Sequence, residues 1–228
     1  MTKIGDKQIF PTKIICLGRS YLEHVKETRA EIPEEPVLFL KTLNCLITNG
    51  DNIVYPRILY ESEIYNRVDH EIELAFIIKE KCKKVFSENA YDKILGYTIF
   101  LDITARKMQI IDRNSHLPWF RSKSFDTFGP IGPRIVSHGE IGDPHDLNFY
   151  LKINGEIKQS SNTKHLIFKI PYLLEYISSF FTLEAGDIIA TGTPNGIGPI
   201  QPGDLIEAHI EKIGTLTHRV ILEGEIKD

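Results

Sequence analysis

The most informative segment of this 228-residue chain reads HEIELAFII and runs from His70 to Ile78. Its apolar, alternating pattern predicts a β-strand, in which successive side chains point to opposite faces. Glu71 and Glu73 therefore share one face, while the apolar side chains at positions 72, 74, 76 and 78 share the other. Two anionic oxygen donors thus converge on one side of the predicted strand.

A third carboxylate, Asp102, follows the next apolar run, LGYTIFL at residues 95–101, which also has strand composition. If the two strands lie side by side, Asp102 joins Glu71 and Glu73 in an all-oxygen site of the kind that Mg²⁺ favours. Two other interpretations stay open from this pattern alone. A strand buried on one face only would leave both glutamates in solvent, and Asp102 could cap a helix predicted over residues 103–113.

Length and composition set the class of protein. With 42% hydrophobic and 25% charged residues, the chain is expected to fold as one catalytic domain, residues 1–228, with a short N-terminal appendage at about residues 1–12. Its formal net charge of -4 lacks the basic surplus of a nucleic-acid-binding surface, so we expect no nucleic-acid partner. No apolar run approaches the roughly 20 residues of a membrane span, and a secretory signal pattern is absent. We therefore expect a cytoplasmic protein without a membrane partner.

Three cysteines, Cys16, Cys45 and Cys82, are widely separated and lack CxxC spacing. This pattern predicts neither a disulfide framework nor a thiolate zinc site, so we expect reduced structural thiols.

The remaining pattern predicts short strands, two longer helices and a β-rich C-terminal half, without regular βαβ alternation. A charged, irregular segment over residues 56–69 is expected to precede the glutamate strand. The predicted strands are Lys13–Gly18, Val37–Leu40, Ile53–Tyr55, Ile188–Thr191 and Leu205–Ile210, and the predicted helices are Ser20–Ala30 and Ile170–Phe181.

A glycine-rich segment, TGTPNGIGP at residues 191–199, lacks the glycine spacings of nucleotide-binding loops. One interpretation is a tight connection between two strands, in which glycines supply positive φ angles. The other is a substrate site, in which backbone amides and the Thr193 hydroxyl bind a carboxylate or an oxyanion.

Two further polar features have both a functional and an ordinary interpretation. His24 and Glu27 lie three residues apart on a predicted helix, so Glu27 could hold the His24 imidazole as an oriented base. A solvated helix with weak surface ion pairs has the same spacing. Lys123 could place a cation over developing negative charge, or it could be a surface lysine.

Taken together, these segments resemble the fumarylacetoacetate hydrolase family, in particular its short acylpyruvate hydrolase and oxaloacetate decarboxylase branch. The resemblance covers nearly the whole chain in matching order and spacing. It implies a mixed α/β, β-rich fold of layered and rolled β-sheets with a few peripheral helices, commonly dimeric, so we expect a homodimer. The motifs that carry it are GRSY (18–21), HVKE (24–27), EPVLFLK (35–41), HEIEL (70–74), DITAR (102–106), KSFD (123–126), NGE (154–156), SNT (161–163), IF (167–168) and GTPNGIGP (192–199).

The resemblance also implies the composition of the site. The cofactor would be Mg²⁺ or Mn²⁺, held by Glu71, Glu73 and Asp102. His24 and Glu27 would activate water on a lid helix, and Lys123 would stabilise negative charge. The substrate would contact Arg19, Gln109, Gly192 and Thr193.

The implied activity is metal-dependent hydrolysis of a C–C bond in 3-acylpyruvates, for example acetylpyruvate to acetate and pyruvate. Oxaloacetate decarboxylation or keto–enol tautomerisation could share the site, because each reaction passes through the same type of enolate. Two alternatives stay open. One is an isomerase or hydratase of unsaturated 2-oxo dicarboxylates in aromatic catabolism, and the other is a non-catalytic 2-oxo acid binding protein.

Overall fold

Strands dominate the computed structural model, which describes residues 1–23 and 31–225. The described part pairs its strands into four sheets. In chain order the strands are β1 (Thr2–Ile4), β2 (Lys7–Ile9), β3 (Ile14–Gly18), β4 (Val37–Lys41), β5 (Leu46–Thr48), β6 (Ile53–Tyr55), β7 (Val68–His70), β8 (Ile72–Ile78), β9 (Ile94–Leu101), β10 (Thr104–Ala105), β11 (Gly129–Val136), β12 (Asn148–Ile153), β13 (Glu156–Asn162), β14 (Ile188–Ala190), β15 (Gly198–Ile200), β16 (Leu205–Ile210) and β17 (Gly214–Leu222).

The described helices are few and mostly short. The longest, α5, packs the side chains of Leu173, Leu174 and Ile177 into the core, as their helical spacing predicts. No helix of the described part is long and apolar enough to cross a membrane. The helices are α1 (Arg57–Tyr60), α2 (Arg106–Asn114), α3 (Phe120–Lys123), α4 (His138–Ile141) and α5 (Ile170–Phe180).

The glutamate strand lies at the centre of the largest sheet. This sheet has seven strands in the order β4-β3-β14-β8-β9-β11-β5, and all seven residues of β8 are buried. Glu71 is 5% exposed and Glu73 is 1% exposed. The interpretation that places both glutamates in solvent is therefore wrong, because structure covers both faces of β8.

The other sheets complete a β-rich mixed α/β fold with a curled main sheet, as expected. Five strands pair in the order β13-β12-β16-β17-β6, and three pair in the order β10-β7-β15. The expected N-terminal appendage contains the β1-β2 hairpin, whose Ile4 and Ile9 side chains join the buried core. The three cysteines are buried free thiols.

The chain between β9 and α2 differs from the prediction of a helix over residues 103–113. The Asp102 amide donates to the Glu71 carbonyl at 2.9 Å, and the Ile103 amide donates to the Phe128 carbonyl at 3.1 Å. These bonds keep the backbone extended, so the helix begins only at Arg106, with Ala105 as its N-cap. Asp102 therefore does not cap the helix, and its side chain remains with the glutamates.

The segment at residues 56–69 is more ordered than predicted. It contains α1 and the first two residues of β7. β7 pairs with β10 and with β15, so its three residues are held in a sheet of long-range partners that the local sequence does not reveal.

Candidate active site

Antiparallel pairing of β8 with β9 brings the three predicted carboxylates together. Glu71 directly precedes β8, Asp102 directly follows β9, and the strand pair aligns Ile72 with Leu101. One potential ligand atom from each of Glu71, Glu73 and Asp102 lies within 4.8 Å of the others. All three side chains are buried. The sheet register thus builds the all-oxygen cluster that the sequence pattern predicts.

The donor set of this cluster fits a hard divalent cation. Three carboxylates can supply half or more of the oxygen ligands of Mg²⁺ or Mn²⁺, with water and substrate completing the shell. The Gly192 amide donates to Glu73 Oε2 at 2.8 Å. Burial raises the pKa of Glu73 well above its usual range, and the charges of Asp102 and Glu71 add to this shift. A bound cation would relieve the crowding of negative charge at Glu73.

Two buried lysines contact the same cluster. Lys41 Nζ lies 2.7 Å from Asp102 Oδ1 and 3.1 Å from the Ile103 carbonyl oxygen. Lys123 Nζ donates to Asp102, to Glu71 Oε2 at 3.1 Å and to the Thr104 hydroxyl at 2.7 Å. Two of the three carboxylates therefore have a cation in direct contact.

The ammonium group of Lys123 is held in its charged form. Burial lowers the pKa of Lys123, but the charges of Asp102 and Glu71 outweigh burial, and the net shift is upward. All three of its N–H donors have acceptors in this arrangement. Lys123 therefore supplies fixed positive charge rather than a base.

Arg106, the first residue of α2, connects the carboxylate cluster to this helix. Its Nε lies 2.8 Å from Asp69 Oδ2, and its other nitrogens donate to Glu71 and, at 2.5 Å, to Gln109 Oε1. The predicted substrate residue Gln109 is thereby fixed beside the predicted metal ligand Glu71.

The glycine-rich segment is a tight connection, between β14 and β15, and it also supports the cluster. The Thr193 hydroxyl donates to the Ile72 carbonyl at 2.8 Å and accepts from Gln159 Nε2 at 2.9 Å. Its single proton is therefore bonded to the protein in this arrangement, and its contact with substrate stays a prediction. The Gly192 amide is likewise committed to Glu73.

Only glycine fits at position 192. Gly192 has φ +89°, and a Cβ atom there would lie 2.5 Å from Ser20 Oγ and 3.0 Å from the Leu17 carbonyl oxygen. The close approach of the two backbone segments lets the amide reach Glu73.

A pocket opens above the cluster, and most of the predicted site residues described by the structure line it. Arg19, Gln109 and Thr193 share its wall with Glu71 and Lys123, while Gly192, Glu73 and Asp102 do not line it. His24 and Glu27 lie outside the described residues, so their roles remain predictions. The remaining lining residues are Leu17, Gly18, Phe39, Arg106, Ile110, Arg113 and Trp119.

Sequence reasoning missed several residues that hold the cluster in place. Lys41 ends the apolar run VLFL, and a lone charge directly after an apolar run could have indicated a buried partner. Nothing in the sequence indicates the supporting role of Gln159, because it lies in a polar strand and is 87 residues from its partner Ile72.

Comparison with known proteins agrees with the geometry. Residues 13–221 match the sequence profile of the family described as "Fumarylacetoacetate (FAA) hydrolase C-terminal". The chain belongs to the fumarylacetoacetate hydrolase family. The resemblance of its motifs to this family is thereby confirmed.

Three relatives in the fumarylacetoacetate hydrolase family bear on function. The human protein named oxaloacetate tautomerase FAHD1, mitochondrial, is 41% identical over 91% of this chain and 90% of its own. The crystal structure of fumarylpyruvate hydrolase from Pseudomonas aeruginosa in complex with Mn²⁺ and pyruvate is 29% identical, with a TM-score of 0.86, over 96% of this chain and 93% of that one. A 2-hydroxyhepta-2,4-diene-1,7-dioate isomerase from Mycobacterium marinum is 38% identical, with a TM-score of 0.82, over 95% of this chain and 77% of that one.

Proposed function

We propose that this chain is a divalent-metal-dependent enzyme that converts small 2-oxo acids through an enolate, with keto–enol tautomerisation of oxaloacetate as its main reaction. The observation that carries the proposal is the buried cluster of Glu71, Glu73 and Asp102 in contact with Lys123 beneath a cationic pocket. The human relative named for oxaloacetate tautomerisation supports this reaction ahead of the acylpyruvate hydrolysis that the motifs alone favour.

The chemistry follows from the charges of the site. A bound Mg²⁺ or Mn²⁺ would act as a Lewis acid toward the carboxylate and 2-keto oxygens of the substrate and would stabilise the enolate. Lys123 adds a fixed, desolvated positive charge next to the same oxygens. Glu71 contacts both Lys123 and Arg106, which suits a ligand role better than that of a proton acceptor.

Tautomerisation also needs a group that moves a proton. One proton leaves C3 of oxaloacetate and one is added to the 2-keto oxygen, with no change in mass. The pocket lining formed by the described residues contains no histidine. We therefore assign the proton transfer to His24, oriented by Glu27, on the basis of their spacing in the sequence.

Hydrolysis of 3-acylpyruvates is the second candidate, and the Pseudomonas neighbour named fumarylpyruvate hydrolase favours it. Water, deprotonated by His24, would add to the distal acyl carbonyl. Cleavage of the C–C bond would then release a carboxylic acid and the pyruvate enolate, which is protonated to pyruvate. The isomerase from Mycobacterium marinum favours a third reaction, which would conserve the mass of its substrate.

One assay separates these reactions. Purified protein is given oxaloacetate or acetylpyruvate with Mg²⁺, with Mn²⁺ or with EDTA, and products are followed by ultraviolet absorbance and mass spectrometry. Faster metal-dependent enol–keto equilibration of oxaloacetate without a mass change supports tautomerisation, whereas acetate and pyruvate support hydrolysis. Loss of CO₂ supports decarboxylation. Absence of metal-dependent turnover, together with tight metal-dependent oxalate binding, would favour a non-catalytic binding protein instead.

The proposed base has its own test. His24→Ala should leave Mg²⁺ binding intact and slow turnover at least about 100-fold, the usual scale of general acid–base catalysis. Unchanged turnover in this variant removes His24 from the mechanism.

We also propose that the enzyme is a homodimer. β4 is an edge strand of the seven-stranded sheet, and apolar side chains near it are exposed, including Leu40 at 54% and Phe120 at 55%. An exposed apolar edge of this kind is a suitable surface for pairing with another chain. Light scattering at micromolar concentration tests the proposal, and the mass of a monomer would contradict it.

A further inference from the structure

One face of α2 forms a wall of the pocket. Arg106, Gln109, Ile110 and Arg113 follow the spacing i, i+3, i+4 and i+7, and all four line the pocket. An α-helix rises about 1.5 Å per residue, so Arg113 begins roughly 10 Å farther along the axis than Arg106. Arg106 contacts the metal ligand Glu71. Arg113 therefore stands toward the end of the pocket that is remote from the carboxylate cluster.

The cations of the pocket divide into two pairs. Lys123 and Arg106 are engaged with Asp102, Glu71 and Asp69. By contrast, the side chains of Arg19 and Arg113 make no hydrogen bond or ion pair with any residue in the described ranges 1–23 and 31–225. The pocket thus keeps two guanidinium groups that its own carboxylates do not neutralise.

The position of Arg19 is set by the backbone. Arg19 has φ 57°, a left-handed conformation that a non-glycine residue seldom adopts. The preceding Gly18 packs under Trp119, since a Cβ at Gly18 would lie 3.1 Å from the indole ring. The turn therefore presents Arg19 to the pocket in a constrained geometry, which is a common property of ligand sites.

We propose that Arg19 and Arg113 form a second anion subsite, which binds the distal carboxylate of a dicarboxylic 2-oxo acid. A guanidinium recognises a carboxylate through paired N–H donors and keeps its charge at every physiological pH. The subsite makes the enzyme select dicarboxylic 2-oxo acids over monocarboxylic ones such as acetylpyruvate. This inference rests on the proposed function, because the first carboxylate must occupy the cluster end of the pocket.

Arg113 also lies in the last turn of α2, where a cation stabilises a helix through its dipole. A purely helix-stabilising role predicts a change in melting temperature without a change in ligand selectivity. The test therefore compares two ligands that share one head group.

The probes are oxamate and N-oxalylglycine, which do not turn over. Both carry the carboxylate and carbonyl pair of a 2-oxo acid, but only N-oxalylglycine has a distal carboxylate. Calorimetry with Mg²⁺ measures both dissociation constants for the wild type, Arg113→Gln and Lys107→Gln. Lys107 is a matched control, because it lies on α2, is exposed and bonds to Asn66 outside the pocket.

The wild type should bind N-oxalylglycine more tightly than oxamate. Arg113→Gln should reduce that preference about tenfold, the scale of one charge-assisted hydrogen bond, while Lys107→Gln should keep it. Equal weakening of both ligands in Arg113→Gln, or an unchanged preference, overturns the subsite. A wild type that shows no preference, including one that binds neither probe, also overturns it.

Failure of the proposed function and failure of the subsite can be told apart by combining the binding data with the turnover assay. If the protein prefers N-oxalylglycine but converts neither oxaloacetate nor acetylpyruvate, the result supports the subsite and contradicts the proposed activity. If the protein turns over oxaloacetate without preferring N-oxalylglycine, the result supports the activity and contradicts the subsite.

Discussion

Gln159 donates a 2.9 Å hydrogen bond to the Thr193 hydroxyl, and its amide oxygen accepts a 3.1 Å bond from the Ile72 backbone amide. The same oxygen lies 2.9 Å from His70 Nδ1, so this ring nitrogen carries the proton. Burial lowers the pKa of His70, which keeps the ring neutral. One buried side chain of β13 therefore fixes the residues on either side of Glu71 together with the glycine-rich segment.

Replacing Gln159 should loosen the cluster. Gln159→Met keeps the volume but leaves buried donors and acceptors without partners, which costs about 1–3 kcal/mol for each such group. We expect a lower melting temperature and weaker Mg²⁺ binding, measured by calorimetry. Gln201→Met, at an exposed position, is the control and should match the wild type. Wild-type Mg²⁺ affinity in Gln159→Met would show that the network does not position the carboxylates.

Replacing Glu73 should separate metal binding from folding. Glu73→Gln removes a ligand charge but also removes a buried carboxylate whose pKa is raised by burial. We expect loss of Mg²⁺ uptake and of turnover, with metal-free stability equal to or above that of the wild type. Glu34→Gln, at an exposed position, is the control and should bind Mg²⁺ like the wild type. Calorimetric Mg²⁺ binding that survives in Glu73→Gln would exclude Glu73 as a ligand.

The raised pKa of Glu73 also gives a pH dependence with a defined sign. In the metal-free protein the unfolded chain loses this proton near the ordinary pKa, while the folded chain retains it to higher pH. The free energy of unfolding should therefore fall as pH rises above the ordinary glutamate pKa. Metal binding displaces the proton, so the rise in melting temperature caused by Mg²⁺ should grow with pH. Scanning calorimetry tests this, and a Mg²⁺ effect that shrinks with rising pH would contradict it.

The two buried lysines should differ in their contribution to the reaction. Lys123 lines the pocket and contacts two carboxylates of the cluster, whereas Lys41 contacts Asp102 and does not line the pocket. Lys123→Met should lower kcat about 100-fold, as removal of a charge-stabilising group does in other active sites. Lys41→Met should reduce stability but lower kcat much less. Steady-state kinetics and thermal melts compare the two variants, and equal losses of kcat would remove the special role of Lys123.

Gly192 should tolerate no side chain, for a reason beyond backbone conformation. Gly192→Ala meets Ser20 Oγ at 2.5 Å, whereas Gly203 has a similar φ of +98° with nothing within 4 Å of an added Cβ. Gly203→Ala therefore reports the backbone strain alone, on the order of 1–3 kcal/mol. Gly192→Ala should lose more stability and should also weaken Mg²⁺ binding, because the amide bonded to Glu73 must move. If Gly192→Ala and Gly203→Ala lower the melting temperature and the Mg²⁺ affinity equally, this prediction is contradicted.

Local pattern placed Glu71 and Glu73 on one face of a predicted strand and Asp102 at the end of another, but it also allowed exposed glutamates and a helix cap at Asp102. The resemblance of the motifs to the family, rather than the local pattern alone, implied that Glu71, Glu73 and Asp102 meet. The extended segment at Ile103 was not predictable, because the bond that holds it comes from the carbonyl of Phe128. Gln159 escaped prediction for the same reason, since its partners are distant in sequence. Long-range hydrogen bonds, rather than composition, decide these positions.

The pairing of β8 with β9 aligns Glu73 with Phe100 and sets Asp102 beside Glu71. Sliding one strand by a single residue would turn every side chain of that strand to the opposite face. Such a misaligned chain would lose the geometry of the carboxylate cluster, even if its apolar residues stayed covered. In the proposed metal-dependent enzyme, uptake of the ion would therefore discriminate the correctly paired sheet from its nearest misfolded alternatives, and magnesium in a refolding buffer should enrich the native product.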